Sequence, residues 1–134
     1  MEFPIIYSDS LLYPDNEDGI TVRVGLSSGE FDAEVFAKVD TGSAVCLFSR
    51  EIGLQLGLDI EQGIPIRLRS LTGTLDAFGH EVNLHTGTLT FHIIVYFAKD
   101  PGLPRNFLGR QGWLRNIRLG IVDYENVIYL ARYM

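Results

Sequence analysis

A single cysteine, Cys46, rules out an internal disulfide, so this 134-residue chain must hold itself together by burial alone. Its 46% hydrophobic content is enough for one ordinary core without metal or disulfide staples. No run approaches the roughly eighteen apolar residues of a membrane span, and no basic segment followed by a long apolar stretch opens the sequence. With the lone cysteine sitting in an apolar run, as a small buried hydrophobe would, the expectation is a soluble cytoplasmic protein in a reducing compartment. Eleven Lys and Arg against seventeen Asp and Glu leave a net charge of −6, which argues against nonspecific nucleic-acid binding. Glycine-rich phosphate motifs are missing. His80, His85 and His92 lack cysteine partners and zinc spacing, so they read as surface residues, and no metal or cofactor is expected.

What is present is Asp40-Thr41-Gly42-Ser43 at the end of an alternating segment. From Phe31 to Val39 the residues Ala33, Val35, Ala37 and Val39 fall on one face and Asp32, Glu34, Phe36 and Lys38 on the other, the period of a half-buried strand. Asp40 therefore leaves a strand end, Gly42 permits a sharp turn, and Ala44-Val45-Cys46-Leu47-Phe48 resumes as a buried run. An Asp beside a Gly can simply cap its own turn. Between core strands, however, a carboxylate is a costly charge unless backbone N–H groups and hydroxyls bond it or a partner carboxylate shares its proton. The chain holds no second such triplet, because its other two Thr-Gly pairs follow Leu71 and His85. Proton sharing would thus need a second copy.

The rest of the pattern is β-rich. Residues 1–19 read as an arm and a loop, and residues 20–134 as the domain. Ile20 to Leu26 alternates and turns at Ser27-Ser28-Gly29 into the strand that leads to Asp40. Ser49 is a candidate N-cap for a short helix over 50–58, weakened by Gly53 and Gly57. Ile64 to Leu68 and the returning Val82 and Leu84 flank a hairpin around Thr72-Gly73. Leu89 to Phe97 is the longest alternation and is expected as a central strand. After a loop over 99–106, Phe107-Leu108 re-enters the core, residues 111–116 predict a short helix anchored by Trp113 and Leu114, and 119–122 with 127–130 form a closing hairpin. Arg67 and Arg69 read as a solvated strand face.

These residues resemble the retropepsin-like aspartic proteases, over about Ile20 to Leu130. The resemblance rests on Val39-Asp40-Thr41-Gly42-Ser43, on the glycine-bearing hairpin about thirty residues later, and on Asn106-Phe107-Leu108-Gly109-Arg110 before a short helical segment. It implies a mainly β fold, a closed acid-protease β-barrel with a flap hairpin and one or two short helices. It also implies an aspartic endopeptidase acting as a homodimer on an extended peptide. Asp40 would be the catalytic carboxylate, Thr41 would bond across the two-fold axis, Gly42 would complete the turn, and Ser43 would bond the outer Asp40 oxygen. Leu71, Thr72, Gly73 and Thr74 at the flap, with Phe107, Leu108 and Gly109, would contact substrate. Where retroviral members carry acidic residues after the triplet, this chain has Ala44 and Val45, which leaves Arg110 without its usual partner and makes a cellular or bacterial type the closer likeness. The rival reading is a noncatalytic dimerisation or peptide-binding module of the same fold. A third is a pro-form that acts only after it cleaves off its own arm.

Overall fold

A computed structural model describes residues 1–134 and places ten strands in two sheets. The alternation before Asp40 becomes a hairpin of β2 (Thr21–Ser28) and β3 (Phe31–Val39), which sends Val22, Val24, Leu26, Ala33 and Ala37 inward. Hydrogen bonding then runs β2-β3-β8-β4-β7-β6 and returns from β6 to β2, closing a six-stranded barrel. Here β4 is Leu47–Phe48, β6 is Gly73–Thr86, β7 is Leu89–Ala98 and β8 is Asn106–Leu108. Closure satisfies strand edges that would otherwise be left open. β5 (Ile64–Ser70) hangs outside the ring, paired only with β6. The expected central strand is β7, which pairs antiparallel with β6 and parallel with β4.

Phe48, Phe97, Leu26, Leu84 and Leu108 fill the barrel. Trp113 is fully buried and donates its indole N–H to the Thr86 hydroxyl at 3.0 Å, which satisfies the one buried polar side chain of the core. Trp113→Phe is expected to lower unfolding stability by about 2 kcal/mol, because it strands the Thr86 hydroxyl and opens a small void. Urea unfolding at fixed chain concentration measures it.

Two expectations change in extent. The helix after Ser49 is α1, Arg50–Gln55, capped by the Ser49 hydroxyl on the Ile52 N–H; it ends early because Gly57 takes a left-handed φ of 72°. The helix over 111–116 shrinks to one turn at Leu114–Asn116, since Gly112 at φ 97° breaks the run before it. The arm, for its part, supplies a strand. β1 (Asp9–Leu12) joins β10 (Val127–Arg132), which joins β9 (Ile117–Val122) in a separate three-stranded sheet. Tyr13, just past β1, is buried and bonds the Asp123 carboxylate; burial, then that bond, pushes its phenol up to about 12. His80 is also not the surface residue its isolation suggests: it is half-buried against the Phe97 ring, with Nε2 2.9 Å from the Ile60 carbonyl.

Candidate active site

Asp40 emerges where β3 ends, and the backbone that follows must double back past β8 to reach β4. β8 lies between β3, to which it is parallel, and β4. The turn is consequently stitched to the segment after β8. The Asp40 N–H donates to the Leu108 carbonyl at 2.9 Å, the Arg110 N–H to Ser43 and the Gln111 N–H to Ala44, both at 2.9 Å. A further bond closes the stitch from beneath. The Gly109 N–H donates to the buried Cys46 sulfur at 3.4 Å, and Cys46 in turn lies 3.6 Å from the Gln111 carbonyl. Burial pushes the Cys46 thiol up to about 11, so it stays neutral and serves as a polarisable filler.

Gly109 explains why no side chain can stand there. A Cβ would fall inside the van der Waals shell of the Val45 carbonyl oxygen and 2.7 Å from that of Ser43. Above this clamp the turn is open: Thr41 and Gly42 are exposed and Asp40 half-exposed. One Asp40 oxygen accepts the Gly42 N–H at 3.0 Å. The Ser43 hydroxyl, expected on the Asp40 carboxylate, instead donates to the Val45 carbonyl at 2.8 Å. Ser43 therefore shapes the turn within this chain and leaves the outer carboxylate oxygen open.

The remaining expected residues divide. Leu71 stands fully exposed at the tip of the β5–β6 hairpin, with Thr72, Gly73 and Thr74 exposed beside it. The Arg67–Asp76 ion pair, 2.9 Å and largely solvated, braces the two strands of that hairpin where it leaves β7. Phe107 is half-buried and pairs directly with Lys38, on the Asp40 side of β3. Leu108 and Gly109 do not reach a substrate surface: the Leu108 side chain is wholly in the core, and Gly109 lies under the clamp. Both were expected to touch substrate from the family resemblance of the Phe107-Leu108-Gly109 motif, but strand alternation sends Leu108 the other way from Phe107. Arg110 is exposed and belongs to none of the chain's ion pairs.

The loop expected after β7 is present, and it is anchored in a way that residue spacing did not show. Residues 99–105 are held by α1 from behind: Arg50 grips Glu61 through two bonds, 2.7 and 3.1 Å, and donates to the Lys99 carbonyl at 2.8 Å, while the Glu51 carboxylate accepts the Gly102 N–H. The backbone N–H bonds, first its own and then that of Gly102, hold the Glu51 carboxyl below the usual range. Asn106 completes the anchor, accepting the Ser49 N–H and donating to the Phe36 carbonyl. The only sequence signal was an Asn beside a proline-rich loop. The largest surface cavity, about 600 Å³, lies at the other end of β3 around Arg23, Asp32, Glu34 and His85, remote from the turn.

No family model matches the sequence, and no curated protein does. Solved structures do match. A retropepsin-like aspartic protease from Rickettsia conorii superposes with a TM-score of 0.67 at 16% identity, over 91% of this chain and 98% of that one. The EIAV protease, solved with an inhibitor, gives 0.56 at 17% identity, over 74% and 88%. The barrel, the clamped turn after β3 and the hairpin outside the ring together make this chain's fold that of the retropepsin-like aspartic proteases.

Proposed function

We propose that the chain is an aspartic endopeptidase whose active site forms when two copies bring their Asp40 turns together. The observation that carries this reading is a half-exposed carboxylate on an open turn that is fastened from below. A structural Asp needs no such fastening, whereas a reacting group must be held to within a fraction of an ångström. The similar folds of two proteases support the same reading.

The chemistry follows from two carboxylates sharing one proton around a water. The ionised one takes a proton from the water as its oxygen attacks the peptide carbonyl carbon, and the other gives its proton to the carbonyl oxygen. The tetrahedral adduct then collapses, breaking the C–N bond as a proton passes to the departing amine. Neither a metal nor a covalent enzyme intermediate is required. The β5–β6 hairpin, with Leu71 at its tip, is suited to close over the substrate as a flap, and an extended peptide would bind by strand addition. Apolar side chains on the arm and on the three-stranded sheet, Phe3, Ile6, Leu12 and Val122, stand exposed and offer a partner copy something to bury.

The test is a digest of a denatured peptide library from about pH 4 to 7 at a series of chain concentrations. A pair that works with one shared proton loses activity when it gains the second or loses the last, so the expected profile is a bell on the acidic side of neutral. Rate per chain should rise with concentration until dimerisation saturates. A well-formed dimer that cleaves nothing at any pH would shift the reading to a noncatalytic peptide-binding module, which the placement of the Ser43 hydroxyl away from Asp40 favours.

A further inference from the structure

Lys38 is the one cation on the Asp40 face of β3, whose other charges, Asp32 and Glu34, lie towards the far end of the strand. Side chains two apart on a strand share a face and stand about 7 Å apart. Asp40 is therefore followed along β3 by Lys38 and then Phe36, the neighbours that a substrate side chain beside the reacting bond would meet. A cavity of about 160 Å³ opens here, walled by Thr21, Phe36, Lys38, Pro104, Arg105 and Asp18. Arg105 is offset by Asp18 at 3.1 Å. Lys38 is not offset: it is half-buried, its stem lies across Gly19, and it joins none of the chain's ion pairs. The cavity thus carries one uncompensated positive charge in a chain whose net charge is −6. The anchored loop over 99–105 fixes its far wall through Pro104 and Arg105.

We infer that this cavity is a specificity pocket for an acidic side chain, and that Lys38 selects glutamate or aspartate in the residue flanking the scissile bond. The inference rests on the protease reading for its position in the reaction, and on charge and geometry for its preference. An isolated half-buried ammonium is stabilised by a carboxylate entering from the substrate, while an apolar side chain there would leave it desolvated and unpaired. Phe36 supplies an apolar wall for the methylene stem.

The experiment compares two peptides that differ only by Glu or Gln at the flanking position, at about pH 6, where a free glutamate is ionised. Two readouts are taken: cleavage by the wild-type dimer, and fluorescence-polarisation binding to an Asp40→Asn dimer that cannot turn over. The expected result is a preference for the Glu peptide of roughly three- to tenfold in both, lost in Lys38→Met and turned towards a Lys-bearing peptide in Lys38→Glu. Circular dichroism and light scattering confirm that the variants fold and pair. Cleavage without a Glu preference, or a preference that Lys38→Glu leaves in place, overturns the pocket and leaves the protease standing. Selective binding of the Glu peptide with no cleavage by the wild type keeps the pocket and sinks the protease. Neither cleavage nor binding overturns both.

Discussion

Asp40→Asn should reduce peptide cleavage by at least about a thousandfold while leaving fold and pairing intact. The substitution is nearly isosteric, and the asparagine side-chain oxygen can still accept the Gly42 N–H, so the turn keeps its local bond. What disappears is the ability to take or hold a proton, and it disappears from both halves of the pair at once. Thermal unfolding and light scattering should match the wild type. Mixing variant with wild-type chains sharpens the test: if two carboxylates are needed, mixed pairs are inactive, and activity falls with the square of the wild-type fraction. A linear fall would mean that one Asp40 suffices, which the shared-proton mechanism does not allow.

Gly109→Ala should be severely destabilising, by about 3 kcal/mol or more. The added methyl meets the carbonyl oxygens of Val45 and Ser43, which are backbone and cannot rotate aside. To make room, the 43–45 segment must lift from the segment after β8. That lift breaks the Arg110 to Ser43 and Gln111 to Ala44 bonds which hold the Asp40 turn. Gly29→Ala is the natural control, because nothing lies within 4 Å of a Cβ there and only its left-handed φ of 58° resists the change. It should cost about 1 kcal/mol. If urea unfolding gives equal losses for the two, the steric account of the clamp is wrong.

How much of this could be read beforehand depends on the range of the interaction concerned. The strand that delivers Asp40 was plain because alternation from Ala33 to Val39 is a local signal, and the hairpin around Thr72-Gly73 was plain for the same reason. The clamp was not. It depends on β8 lying between β3 and β4, a matter of topology, and neither the fit of Gly109 under Val45 nor the sulfur bond of Cys46 leaves a trace in residue spacing. The strand formed by Asp9–Leu12 escaped because its partner lies at the far end of the chain. Lys38 was legible in position, two residues before Asp40, but not in significance, since its lack of a counter-charge emerges only when Asp18 turns to Arg105. Leu108 came to the substrate list as part of the family motif, yet it lies on the opposite face of its short strand from Phe107 and is buried in the core.

The stitch between the Asp40 turn and the segment after β8 joins residues about seventy apart in sequence, and such distant pairings are slow to form because a long stretch of chain must first be brought back on itself. The β2–β3, β5–β6, β6–β7 and β9–β10 hairpins all close locally and can assemble early. On the ribosome the order is stricter still, for Asp40 has emerged long before Gln111 exists to hold it. A chain under synthesis therefore carries the Asp40 carboxylate on an unfastened loop until residues 108–111 have been made. If the chain cuts extended peptides as proposed, that delay keeps the carboxylate turn unassembled while the nascent chain is itself still extended.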